Sequence, residues 1–212
     1  MIGFYDYTVI LTYASLASAI FGMALSGTGH PILATICLLF CGMCDMFDGK
    51  VARTKKNRTE EEKSFGIQID SLSDIVAFGV LPAVILLNLC QKSWYAWVIA
   101  ALYVLAGLIR LAYFNVTEEE NQANGQLVRK VYTGLPVTSS ALIFPTFMLI
   151  SYFLPRDIVI GYFAVMLLTA FLFVSKISVR KPGFRGIMIM VGFGVIEFAL
   201  ILLLKFLVPR PM

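Results

Sequence analysis

The stretch Asp45-Met46-Phe47-Asp48-Gly49-Lys50-Val51-Ala52-Arg53, followed after twelve residues by Gly66-Ile67-Gln68-Ile69-Asp70-Ser71-Leu72-Ser73-Asp74, decides how this chain is read. It sets four aspartates in and beside segments apolar enough to enter a bilayer. Helical spacings of three and four put residues on one face, so Asp45 shares a stripe with Asp48, and Gly66 shares one with Asp70 and Asp74. Two such helices side by side turn four carboxylates toward each other. Anions crowded in partly desolvated surroundings are relieved by protonation, by a basic partner or by a divalent cation. Oxygen-only ligands suit a hard ion such as Mg²⁺, Mn²⁺ or Ca²⁺.

Small residues accompany the acids. Gly49 and Ala52 flank Asp48, and Gly66 lies one turn before Asp70, so a ligand can approach backbone that larger side chains would cover. Arg53 supplies a fixed fork for phosphate. A metal cluster, room for close approach and a phosphate-binding cation together point to a diphosphate substrate.

The run that leads into this stretch fixes its depth. From Pro31 only fourteen residues precede Asp45 without a charge, about 21 Å of helix against a hydrocarbon core of about 30 Å. The helix must therefore continue through the aspartates to Arg53, with Asp45 and Asp48 at inner-leaflet depth and Lys50 and Arg53 at the headgroups. Apolar runs of spanning length are expected at 7–26, 31–53, 66–90, 94–115, 134–154, 157–175 and 187–208. The expected fold is an all-α, polytopic transmembrane bundle of about seven spans.

Composition agrees. The chain has 212 residues, 59% hydrophobic and only 14% charged, with mean hydropathy +0.84, too little polar surface to cover a soluble globule. The start Met1 to Asp6 lacks a basic region, so the first apolar run is expected to be a retained span, and residues 1–212 a single membrane domain. Cys37, Cys41, Cys44 and Cys90 lie in apolar runs. Cys41 and Cys44 form a C-x2-C, but with no second pair and one histidine they are expected as small buried residues rather than zinc ligands. That histidine, His30, falls in the turn Ser26-Gly27-Thr28-Gly29-His30-Pro31, and Trp94, Tyr95 and Trp97 suit an aromatic belt at the outer edge of the fourth span.

Orientation follows from the basic residues. The 50–63, 110–133 and 176–186 segments alternate onto one side and hold thirteen of the seventeen lysines and arginines, leaving Lys92, Arg156, Lys205 and Arg210 on the other. By the positive-inside rule the aspartates open toward the cytoplasm from an integral cell-membrane protein. The run Glu118-Glu119-Glu120 is expected as a solvated cytoplasmic loop.

The aspartate pattern resembles the signature of the CDP-alcohol phosphotransferases, integral membrane enzymes with a six-helix core that move a phosphoalcohol from a CDP-linked donor to an acceptor hydroxyl. All eight motif positions are present, although the spacer Thr54 to Phe65 is longer than usual in the family. The surplus, Lys55 to Lys63, is expected as an enlarged hydrophilic loop. Ala77-Phe78-Gly79-Val80-Leu81-Pro82, Arg110-Leu111-Ala112-Tyr113-Phe114-Asn115 and Gly134-Leu135-Pro136 look like the phosphatidylserine synthase branch. The N-terminal Thr8-Val9-Ile10-Leu11-Thr12 keeps only Thr12 of the family's opening motif.

The resemblance implies transfer of a phosphatidyl group from CDP-diacylglycerol to L-serine, giving phosphatidylserine and CMP. It implies Mg²⁺ or Mn²⁺, as one ion or two, on Asp45, Asp48, Asp70 and Asp74. Asp74 would complete a second metal site or serve as general base. Thr12, Asp48, Gly49, Ala52, Arg53, Gly66 and Asp70 would hold CDP. Arg110, with Asn115 as helper, would hold the serine carboxylate, although Arg110 also suits a snorkelling anchor. Glu197, an acid in mid-span, is expected in a dimer or interhelix hydrogen bond. Membrane lipids and a second copy in a homodimer are the expected partners, and nucleic acid is not. Same-family alternatives are another acceptor, glycerol 3-phosphate or an inositol phosphate, and an archaeal-type CDP-lipid donor. A divalent-cation transporter is the alternative from another class, but its acids should line a path across the bilayer rather than crowd near one face.

Overall fold

The computed structural model describes residues 3–4, 6–52, 54–55, 57–91, 93–123, 131–153, 158–180 and 183–207. Its helices are α1 (Ile10–Gly27), α2 (Pro31–Ala52), α3 (Glu60–Asp74), α4 (Leu81–Leu89), α5 (Trp94–Ala123), α6 (Ser140–Phe153), α7 (Ile158–Val174) and α8 (Phe184–Leu207). Among the described residues five helical stretches are long and apolar enough to cross a membrane: Tyr7–Gly27, Pro31–Ala52, Glu60–Leu89, Trp94–Glu120 and Arg185–Lys205. The remaining two expected spans are the shorter apolar helices Val137–Phe153 and Ile158–Val174. The all-α reading stands, with one addition. Short strands β1 (Val131–Thr133) and β2 (Ser178–Arg180) pair antiparallel, which joins two segments that alternation had placed on one side.

Two expected boundaries are corrected. α3 begins at Glu60 rather than 66, because the Thr59 side chain accepts from the Glu62 backbone N–H while the Glu62 side chain accepts from the Thr59 N–H. This capping box satisfies donors that a helix start otherwise leaves unpaired, so half of the expected loop becomes helix. Likewise Glu118, Glu119 and Glu120 are not loop but the last turns of α5, a 30-residue helix. Their good helix propensity lets α5 run on beyond the apolar segment.

α3 and α4 form one continuous helix through a π-helical turn, Ile75–Val80. Pro82 has no N–H, so the Phe78 carbonyl loses its partner four residues on. Tyr103 of α5 supplies the replacement: its hydroxyl donates to the Phe78 oxygen at 2.7 Å and contacts Ser140 Oγ at 2.8 Å. A widened turn of this kind commonly marks a functional region, and Asp74 immediately precedes it. Around it lies the core, where Phe78, Tyr103, Phe144, Tyr162 and Phe173 are all buried. Phe144 stacks on Tyr162, ring centroids 5.0 Å apart.

Close crossings bring the aspartate helix into place. A Cβ on Gly42 would stand 2.5 Å from the Ala141 Cβ, so α2 meets α6 at a separation only glycine permits, a usual device between membrane helices. Cys41 donates from Sγ to the Ser15 carbonyl at 3.2 Å, and all four cysteines are free. His30 follows the Thr28-Gly29 turn and is exposed, as are Trp94, Tyr95 and Trp97 at the start of α5.

Candidate active site

Asp45 comes from the last third of α2, and Asp70 and Asp74 from successive turns at the end of α3. One carboxylate oxygen from each lies within 4.8 Å of the others. That separation, between three hard oxygen donors, fits ligands grouped about a single divalent ion, whose oxygens stand 2.0–2.6 Å from the metal. Asp45, Asp70 and Asp74 could therefore hold such an ion. Asp48, expected with them, adjoins Asp70 on the outer side of this trio.

The trio faces a cavity of about 320 Å³. Arg110 of α5 lines it together with Phe114, Pro136, Thr138 and Ser139, and Ile187 and Met190 of α8 close one wall. Arg110 is buried, at 5% exposure, which places it inside the bundle instead of at the lipid interface. Its Nε donates to the Leu135 carbonyl at 3.1 Å, and its guanidinium lies over the Phe114 ring, 5.7 Å from the centroid.

The loop that receives Arg110 owes its path to one glycine. Gly134 has φ +82°, and a Cβ there would meet the Phe173 carbonyl oxygen at 2.8 Å and Arg110 Nε at 3.2 Å. Its N–H donates to the Ile177 carbonyl at 2.7 Å, and that of Leu135 to Leu172 at 3.1 Å. The left-handed backbone suits glycine, and it turns Pro136 to Ser139 into the cavity wall.

The other expected residues are placed as follows. Thr12 is buried in α1, where its carbonyl accepts from Ser73 Oγ at 3.2 Å, and its side chain is not among those lining this cavity. Gly49 is exposed with open space around it, and Ala52 is half-buried near the end of α2. Gly66 lies under the guanidinium of Arg58. Arg53 lies outside the described residues. Asn115 is bonded to Ser71, its Nδ2 donating to the hydroxyl at 2.9 Å, so it joins α5 to α3 beside Asp70 and does not line the cavity with Arg110. Sequence reasoning did not single out Thr138, Ser139, Ile187 and Met190 as site residues. Thr138 and Ser139 carried a signal, since only Val137 separates them from Gly134-Leu135-Pro136; the two α8 residues carried none.

A second, apolar cavity of about 250 Å³ lies between α2, α6 and α8 and shares Asp45 with the first. Leu39, Met43, Leu142, Val195 and Phe198 are among its walls. The arrangement thus offers an acidic, arginine-backed chamber joined through Asp45, Met46, Thr138 and Met190 to an apolar slot.

A family model described as CDP-alcohol phosphatidyltransferase matches residues 8–207. The chain is 34% identical over 145 residues to a protein of Saccharomyces cerevisiae named CDP-diacylglycerol--serine O-phosphatidyltransferase, covering 65% of this chain and 51% of that one. It is 31% identical over 145 residues to an archaetidylserine synthase of Methanothermobacter thermautotrophicus, covering 68% and 58%. A Helicobacter pylori protein named CDP-diacylglycerol--serine O-phosphatidyltransferase is 26% identical over 188 residues, covering 86% and 74%. The matched region spans about half the length of the first two relatives. With a match running through nearly all of its helices, and three of the four motif aspartates brought to one cavity, the chain belongs to the CDP-alcohol phosphatidyltransferase family.

Proposed function

We propose that this chain transfers the phosphatidyl group of a CDP-linked lipid to the hydroxyl of L-serine, releasing CMP. The observation that carries the reading is the single cavity in which Asp45, Asp70 and Asp74 face Arg110. The relatives' names favour serine as acceptor with either type of lipid tail.

In this reading Asp45, Asp48 and Asp70 would carry most of the binding of Mg²⁺ or Mn²⁺, which when bound would offset charge on the diphosphate and on departing CMP, and Asp74 would stand free as the base. Arg110 positions serine through its carboxylate, leaving the hydroxyl directed at the lipid-bearing phosphorus. The serine oxygen forms a bond to that phosphorus as the bond to the CMP oxygen breaks. Asp74 takes the hydroxyl proton. Gly49, Ala52, Arg53 and Gly66 border the CDP moiety, and the apolar slot next to Asp45 suits a donor chain. The excess of lysine and arginine on the aspartate side supports a site that faces the cytoplasm. A homodimer belongs to the same reading, with the sparsely buried α8 available as its contact; crosslinking in membranes tests it.

The test is purified protein in detergent with CDP-diacylglycerol, Mg²⁺ or Mn²⁺, and labelled serine, glycerol 3-phosphate and inositol phosphate in parallel. Phosphatidylserine and CMP in equal amounts are expected. Product from another acceptor alone overturns the serine assignment, and an archaetidyl donor offered alongside separates the two tail types.

A further inference from the structure

The linker between α2 and α3 holds a cation that the steps above do not use. Arg58 folds back over the beginning of α3, where its Nη2 donates to the Glu62 carbonyl at 3.0 Å. The same nitrogen stands 2.6 Å from where a Cβ on Gly66 would be. The missing side chain at 66 is therefore what admits the guanidinium. Arg58 Nε is buried and has no hydrogen-bond partner among the described residues, a costly condition that a ligand oxygen would relieve.

The linker around Arg58 is held in place. Lys55 Nζ donates to Asp6 Oδ2 at 2.6 Å and to Glu62 Oε1 at 3.0 Å. The Tyr7 hydroxyl meets Thr54 Oγ1 at 3.1 Å, and the capping box fixes Thr59 to Glu62. Arg58 is thus set one helical turn before Asp70, about 6 Å along the helix axis, on the stripe that leads to the acidic trio. A planar fork with an unused N–H suits an anionic phosphate ester better than a point charge does.

We propose that Arg58 is a donor-binding residue whose guanidinium grips the diphosphate of the CDP-linked lipid across Gly66. The proposal rests on the donor assigned above, and it adds a contact from the enlarged linker to those of the aspartate motif.

The experiment titrates CDP with Mg²⁺ into the purified full chain by calorimetry, for the parent, Arg58→Gln and Arg58→Lys, and measures KM for CDP-diacylglycerol and for serine. Arg58→Gln is expected to weaken CDP binding and raise the donor KM by about tenfold, with the serine KM unchanged. Arg58→Lys, which keeps the charge but loses the fork, recovers part of this. Gly66→Ala is expected to expel the guanidinium and weaken CDP binding, with no further loss in the double variant. Parent-like CDP affinity in Arg58→Gln overturns the proposal and leaves Arg58 as a cap on α3. Should that variant not fold, Arg58→Lys decides alone, and parent-like CDP affinity in it overturns the proposal. A parent that binds CDP yet transfers to none of the three acceptors refutes the reaction, while the Arg58 comparison still reads out by affinity.

Discussion

Arg110 Nε donates to the carbonyl of Leu135 at 3.1 Å, so the cation that faces the aspartates is braced by the loop that builds the opposite wall. One edge of the guanidinium positions the group, while the residue still lines the cavity. Arg110→Ala is expected to raise KM for serine by about tenfold or more, the usual size of a lost charge-assisted contact, with a much smaller effect on the CDP-lipid KM. Steady-state kinetics with each substrate varied in turn checks this, and an unchanged serine KM returns Arg110 to a packing role.

The acidic trio separates two kinds of aspartate variant. Asp70→Asn removes a ligand and should weaken metal and CDP binding together. Asp74→Asn should lower turnover by about 10²–10⁴-fold, the range of a general base, while largely sparing metal binding. Calorimetry with metal and CDP beside turnover distinguishes them. Equal loss of metal in both variants makes Asp74 chiefly a ligand, and full turnover after verified EDTA stripping refutes metal assistance altogether.

Glu197 of α8 is hydrogen-bonded to Thr146 of α6 within the same chain, and its second oxygen is buried without a partner among the described residues. Of the two expected roles for this acid, the interhelix bond is the one the fold contains. Thr146→Val leaves the carboxyl with no partner in an apolar setting and should destabilise by about 1–3 kcal/mol. Glu197→Gln keeps a polar partner and should cost less. Thermal unfolding in one detergent ranks the two, and a more stable Thr146→Val reverses the assignment.

Asp6 and Lys55 form a pH-limited tether between the N-terminal segment and the linker. The hydrogen bond from Lys55 holds the Asp6 carboxyl below its ordinary 3.8, and the bonds to Asp6 and Glu62 hold the Lys55 ammonium above its ordinary 10.5. A lowered acid contributes stability present above 3.8 and lost as pH falls through its folded value. A raised base contributes stability present below 10.5 and lost as pH rises through its folded value. The tether is expected intact from about pH 5 to 9 and released in stronger acid. The distance between spin labels attached at neutral pH to cysteines placed at positions 4 and 65, whose rings touch in the parent, should lengthen below pH 4 and, at neutral pH, in Asp6→Asn. A distance independent of both shows that the segment is held without the tether.

The sequence alone determined that this chain is a helical membrane bundle. Continuous apolar runs of spanning length, interrupted by few charges, satisfy their backbone in a bilayer as helices, since a barrel would need short strands of alternating polarity. It also determined which acids stand together on each helix, because spacings of three and four are a local property, and so Asp70 and Asp74 were legible as neighbours. The early start of α3 escapes that reading, although Thr59-x-x-Glu62 carries the capping pattern, because the polar run around it reads as loop. What only the tertiary structure decided is which groups meet across helices. Asp45 rather than Asp48 completes the trio with Asp70 and Asp74 because the crossing of α2 with α6 at Gly42 and Ala141 sets the rotation of α2. Ile187 and Met190 reach the cavity only through the packing of α8, which their apolar side chains do not announce. Asn115 went to Ser71 and Arg58 to Gly66 for the same reason: long-range polar pairing depends on helix separation and rotation, and neither is written in the spacing of residues along one chain.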